Sequence, residues 1–185
     1  MTVKSLLAIL LGEVLVNNIV LQRFLGVTPF LGAADKECKA LRMSIAVAAV
    51  MVLTAVITWP VQALLNVLNA AYLQILVLVA VILAVCGLTE LAAKKLFKSS
   101  LGVYFPVIAL NSAVLGLAVT NISAGYNFVE ALVAAVGAGL GFMLATVLFN
   151  GVQSKINERY VPKAFRGLPV SLLAAAIISL ALYAF

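Results

Sequence analysis

Charged residues along this chain fall in clusters, and long apolar runs separate them. No charge occurs between Met43 and Thr89. That run is too long for one membrane-spanning helix, which takes about 20 apolar residues, and suits two joined by a turn. Asn66, Asn69 and Tyr72 mark the turn. Further charge-free runs cover Ser99–Val129, Ala131–Ser154 and Gly167–Phe185. The first apolar segment, Leu6–Leu25, is interrupted by Glu13, Asn17, Asn18, Gln22 and Arg23. The pattern predicts six membrane segments, about 5–25, 42–65, 72–96, 100–121, 127–153 and 167–185. Alternating strands of about ten residues are absent, which favours helices over a barrel.

Composition sharpens this picture. Of 185 residues, 65% are hydrophobic and 10% charged. Soluble domains run near 45–50% apolar and about 25% charged, so a water-soluble globule is excluded. So is disorder, given so much Leu, Val and Ala. Two cysteines exclude a disulfide scaffold, and zero histidines remove the commonest metal ligand and proton shuttle. With six crossings, Arg23, Lys36, Lys39, Arg42, Lys94, Lys95, Lys98, Lys155, Arg159, Lys163 and Arg166 fall on one side, and only Lys4 on the other. The positive-inside rule makes those loops cytoplasmic and leaves both termini outside. The net charge of +6 then sets topology and needs no nucleic-acid partner. Asn17, Asn18 and Arg23 spoil the cleavage region of a secretory signal, so Met1–Leu25 reads as retained.

The chain reads as one membrane domain, 1–185, with an internal repeat of about 1–98 and 99–185. Val16-Asn17-Asn18-Ile19-Val20-Leu21 lines up with Leu110-Asn111-Ser112-Ala113-Val114-Leu115. Each half holds three segments, and an odd number of crossings makes the repeat inverted. Each half opens with the odd segment: Asn17, Asn18, Gly26, Pro29 and Gly32 in the first, and Gly102, Pro106, Asn111, Ser112 and Gly116 in the second. Asparagine in lipid is costly unless its amide is paired. Proline removes a donor and glycine weakens helix. Unwound backbone at membrane depth survives only inside protein or beside a cavity. The expected fold is therefore an all-α polytopic membrane protein of two inverted three-helix repeats, the first helix of each broken or re-entrant. Paired breaks of this kind point to a binding site; close packing through small residues is the other reading.

Several blocks resemble the Rnf/Nqr family, specifically its RnfA- and NqrE-like subunits. They are Leu15–Leu21, Phe24–Gly32, Leu88-Thr89-Glu90 with Lys94-Lys95, Leu101–Pro106, Asn111–Gly116, Asn121-Ile122, Val161-Pro162 and Phe165-Arg166-Gly167. They stand in family order over nearly the whole chain. The resemblance implies a subunit of a bacterial or archaeal cytoplasmic-membrane complex that couples ferredoxin/NAD electron transfer to Na⁺ or H⁺ movement. It implies pairing with an RnfE-like chain of opposite orientation, alongside RnfB-, RnfC-, RnfD- and RnfG-like subunits. It also implies a 2Fe–2S cluster held at mid-membrane by two cysteines from each chain of the pair. At those two positions this chain has Thr28 and Ser112. Hydroxyls stay protonated and are hard, so they are far poorer iron ligands than thiolates. Three explanations fit: a divergent complex that moves electrons another way, a paralogue that lost the redox role, or substitutions introduced at the ligand positions. The first is favoured, because Ala124, Gly125 and other positions also drift from the family pattern. A cofactor-free transporter or channel subunit, or a purely structural one, is the alternative.

Other residues carry paired readings. Glu13 either lies on an ion path or is solvated near the outer interface. Arg23 is expected to snorkel at the cytoplasmic end. Glu90, four residues before Lys94, reads as a helical ion pair or an ion-handling group. Glu130 is expected to cap the fifth helix, and Trp59 and Tyr72 to anchor at the outer interface. Gly137, Gly139 and Gly141, with Ala134 and Ala138, are read as one small face suited to another helix or subunit. Cys86 and Cys38 match no cluster position. Phe165-Arg166-Gly167 either docks a cytoplasmic subunit or simply turns the chain.

Overall fold

The computed structural model describes residues 3–27, 37–97, 111–156 and 161–182. Among the described residues every regular element is helical. α1 (Val3–Leu11) runs into a π-turn at Gly12–Val16. α2 (Glu37–Val67) and α3 (Gln74–Phe97) are joined through a 3₁₀ turn at Ala71–Leu73. α4 (Ser112–Ser123), α5 (Phe128–Gln153) and α6 (Leu168–Leu182) follow. Met43–Val67, Ala71–Leu91 and Phe128–Gln153 are long and apolar enough to cross a membrane, while Ser112–Ser123 and Leu168–Ala181 are apolar but shorter. Leu7, Val67, Ile75, Leu76, Leu88, Ile177 and Leu180 are all more than half exposed. Apolar surface on this scale belongs against lipid or a neighbouring chain. The protein is an all-helical polytopic membrane protein.

The expected turn between the second and third segments is formed at Asn69, whose φ is +50°. The cap of the fifth segment also forms: Asn127 N–H donates to Glu130 Oε2 at 3.0 Å, which satisfies a donor that the helix start leaves open. α5 is the hub and packs against α1, the π-turn, α2, α4 and α6. Its glycines explain how so many elements approach one helix. A methyl group added at Gly137 would lie 3.0 Å from Leu10 O, and one at Gly141 would lie 2.9 Å from Glu13 O. One added at Gly139 would lie 3.0 Å from Ala48 Cβ on α2. The expectation of one small face is therefore corrected. Residues two apart on a helix point about 200° apart, so Gly137 and Gly141 admit the first segment while Gly139 admits α2. All three contacts lie within the chain.

The first segment also departs from a simple crossing. Among the described residues helix runs from Val3 to Val16, about 21 Å at 1.5 Å per residue, short of the roughly 30 Å hydrocarbon core. The chain then folds back. Arg23, expected at the cytoplasmic end, instead donates through Nη1 to Thr120 Oγ1 on the last turn of α4. The next residue, Asn121, meets Ala131 near the start of α5. Arg23 thus belongs to the half of the bundle where α5 begins. A count that assumes a straight helix misplaces it, because the break at Asn17–Asn18 reverses the chain's course.

Close approach at α5 predicts opposite outcomes for two glycines. Gly141→Ala puts a methyl 2.9 Å from Asn18 Nδ2, whereas a methyl at Gly151 meets nothing within 4 Å. Gly141→Ala should cost about 1–3 kcal/mol through overpacking. Gly151→Ala should gain about 0.5–1 kcal/mol of helix propensity. Thermal unfolding in detergent reads both, and equal midpoints would contradict this packing.

Candidate functional site

The interrupted first segment meets the start of α4 at mid-bundle, and α5 gives the depth. Asn18 Nδ2 donates to Gly141 O at 2.9 Å, about 20 Å along α5 from its start. Asn18 is fully buried. Its second amide hydrogen goes to Val14 O at 3.0 Å, and its Oδ1 accepts from Val20 N at 3.0 Å and Leu21 N at 3.3 Å. All four bonding positions of the amide are filled. The side chain closes the carbonyl end of the π-turn and opens the irregular stretch beyond it. Ser179 Oγ on α6 covers Leu21 O. Leu25 N–H reaches Ile19 O at 3.1 Å.

That stretch delivers Gly26 to the start of α4. Gly26 N–H donates to Ser112 Oγ at 2.8 Å. Gly26 has φ +75°, and a methyl there would lie 2.8 Å from Asn111 Oδ1 and from Ala113 Cβ, and 3.1 Å from Phe142. Only glycine combines that conformation with that approach. Asn111 caps α4, its Oδ1 accepting from Ala113 N at 2.9 Å. Asn111 is 3% exposed, and its Nδ2 has no partner. One turn along, Leu25 Cδ1 lies over Gly116, 2.4 Å from where a methyl would stand.

The structure therefore brings together Asn18, Gly26, Asn111, Ser112 and Gly116. Asn17 stands at the junction but is exposed, so the two neighbouring asparagines have different surroundings. Thr28, Pro29 and Pro106 lie outside the described residues. Glu13 sits in the π-turn at 7% exposure, packed against Gly137 and within the field of Arg23. Burial sets it apart from a solvated interfacial carboxylate. A π-turn carrying a buried acid is a recurrent mark of functional positions. Glu90 is half-buried on α3, and the Lys94 side chain lies outside the described residues.

The donor chemistry at the junction does not suit an iron–sulfur cluster. Ser112 offers a hydroxyl, and that oxygen is already engaged by Gly26 N–H. Cys86 is buried in the apolar core beside Ile82 and Val85. Among the described residues no group of three or more His, Cys, Asp and Glu side chains could hold a metal ion. Clusters need thiolates, with histidine as the recurrent substitute. A hydroxyl–amide junction suits hydrogen bonding instead. Sequence reasoning missed Gly141 and Phe142 as the wall of this site. The signal was the glycine spacing on α5, which does not say which neighbour it admits.

Two adjacent asparagines should behave differently. Asn18→Leu keeps the branched shape but removes the side-chain partner of two carbonyls and two amide N–H groups in a dry interior, at about 1–3 kcal/mol for each group left unpaired. Folded yield should fall sharply. Asn17→Leu should shift stability by no more than about 0.5 kcal/mol, as surface changes do. Size-exclusion profiles and thermal midpoints separate them, and parity would remove Asn18 from its central place.

A family model described as "Rnf-Nqr subunit, membrane protein" matches residues 6–185. The chain is 46% identical over 98% of its length to the A-type subunit of the ion-translocating oxidoreductase complex of Syntrophotalea carbinolica, covering 96% of that protein. It is 43% identical over 98% of its length to the A-type subunit of the Na(+)-translocating ferredoxin:NAD(+) oxidoreductase complex of Acetobacterium woodii, again covering 96%. A third relative, the A-type subunit of the ion-translocating oxidoreductase complex of Azoarcus sp., is 40% identical over 97% of this chain and 95% of its own length. The chain belongs to the Rnf-Nqr family of membrane subunits.

Proposed function

We propose that this chain is the A-type membrane subunit of an Rnf complex, in which ferredoxin/NAD redox chemistry drives Na⁺ or H⁺ across the membrane. The relatives' names support the class of complex. Within the chain, the reading rests on the mid-bundle junction, where Gly26 N–H meets Ser112 Oγ. Interrupted segments meeting at membrane depth are the device by which such proteins build a site inside a bilayer. The chain has no activity alone; the work belongs to the assembly. Its finer setting is the cytoplasmic membrane of a bacterium or archaeon, with both termini outside and an RnfE-like partner against the junction. RnfB-, RnfC-, RnfD- and RnfG-like subunits complete the complex. Ser112 is exposed on the surface of the chain, which is where a site shared with a partner must open. Glu13 is the candidate ion-path carboxylate of this half.

On this reading the chain gives no thiolate to a cluster. Ser112 closes the junction by accepting from Gly26 N–H, and electrons pass by a route that this chain does not ligate. The test is iron and acid-labile sulfide in this chain co-purified with its RnfE-like partner, free of other iron–sulfur subunits. Wild type should carry no stoichiometric cluster, and the Thr28→Cys/Ser112→Cys double variant should gain one 2Fe–2S signal per heterodimer by EPR after reduction. A full cluster in wild type would overturn the ligand reading. The complex in liposomes should take up Na⁺ or H⁺ when supplied with reduced ferredoxin and NAD⁺. Turnover without ion uptake, or no turnover, would overturn the assignment to a redox pump.

A further inference from the structure

Away from the junction, the end of the bundle where α2 finishes and α5 begins holds a cavity of about 220 Å³. Its polar lining comes from Thr58, Gln62 and Asn66 on α2, Asn121 on α4, and Trp59 and Tyr126 beside them. Thr54, Thr58, Gln62 and Asn66 recur every four residues, which places them along one face of α2. Thr54 and Thr58, at 1% and 4% exposure, carry this polar row into the buried part of the helix. A polar row in a membrane helix is expensive unless it faces protein or water.

The donors of Thr58, Gln62 and Asn121 are engaged, and oxygens of these side chains are left open. Asn121 Nδ2 donates to Ala131 O at 3.4 Å, so its Oδ1 is turned the other way, and that atom has no partner. Flipping the amide would set two acceptors against each other. Gln62 Nε2 donates to Asn66 Oδ1 at 3.1 Å and to Gln74 Oε1 at 3.5 Å, leaving Gln62 Oε1 without a partner. Thr58 Oγ1 donates to Ala55 O at 3.4 Å and keeps its lone pairs. One turn deeper, Thr54 Oγ1 is also unpartnered. No charged side chain lines the cavity among the described residues. Trp59 closes one wall, its Nε1 donating to Tyr126 O at 3.3 Å and its ring meeting Phe128 edge-on at 5.6 Å.

We propose that this cleft is a binding site for a small monovalent cation, held by the neutral oxygens of Thr58, Gln62 and Asn121. Neutral oxygens with their own donors engaged are hard ligands that offer only negative potential. Divalent cations draw on carboxylates, and none lines this site. The volume exceeds the roughly 30 Å³ share of one water several-fold, so the ion keeps part of its hydration shell and binds weakly and reversibly. Its role as an access point on an ion path rests on the function proposed above; the cation site itself does not.

Trp59 is the chain's single tryptophan, so its emission reports on this wall alone. The full chain in nanodiscs is titrated with NaCl against choline chloride at constant ionic strength. Trp59 emission should change saturably with Na⁺ and not with choline. Thr58→Val, which keeps shape, and Asn121→Leu should each raise the half-saturating Na⁺ concentration by about tenfold. A response identical for Na⁺ and choline, or one unchanged in both variants, would overturn the site. Redox-driven ion uptake by the assembled complex is measured separately. Uptake without a Trp59 response sinks the cation site and leaves the pump. A saturable response without uptake upholds the site and sinks the pump.

Discussion

Every turn of the interrupted first segment hangs on the Asn18 amide. A helix that stops at mid-membrane leaves carbonyls behind it and amide N–H groups ahead of it, with no water to take either. Asn18 supplies two donors to Val14 O and Gly141 O and two acceptor contacts to Val20 N and Leu21 N. One side chain thus satisfies both sides of the break and ties them to the hub helix. Hydrogen bonding in so dry a setting is a condition for the structure rather than an addition to it. Glycine at 137 and 141 lets the backbone come near enough for that bond to form.

The junction and the cleft between α2 and α4 follow one physical rule with different outcomes. At the junction, polar groups are matched to one another: Gly26 N–H to Ser112 Oγ, Ala113 N–H to Asn111 Oδ1. Asn111 Nδ2 is the buried donor left over. In the cleft the surplus is of the other sign, with buried oxygens at Gln62 and Asn121 left over. The two sites lie at different heights on α5, at Gly141–Phe142 and at Ala131. α4 spans the interval, with Asn111 capping one end and Asn121 near the other.

Much of this was legible in the sequence, and the rest has physical reasons for being hidden. The charge-free runs located α2, α3, α5 and α6, because spanning helices have a length fixed by the bilayer. The asparagines and glycines of the first segment announced a break, since those residues are costly in lipid without a purpose. What one segment does after it breaks was not legible. Arg23 lies near Thr120 because the chain reverses, and reversal depends on partners 86 to 158 positions away. The three glycines of α5 read as one face because glycine carries no mark of which neighbour it admits. The cleft had a visible trace, the four-residue spacing of Thr54, Thr58, Gln62 and Asn66. Its partner Asn121 lies on another helix, so that row alone gave no site.

The bond between Asn18 and Gly141 spans 123 positions, and this has a consequence for biogenesis. At roughly 5–20 residues per second, the ribosome needs several seconds to more than twenty to make the second partner after the first. Throughout that interval the break in the leading segment has no hub helix to close it. The nascent segment must wait at the interface or against the insertion machinery, and it settles only when α5 arrives. This segment is thus made well before the helix that holds it in place.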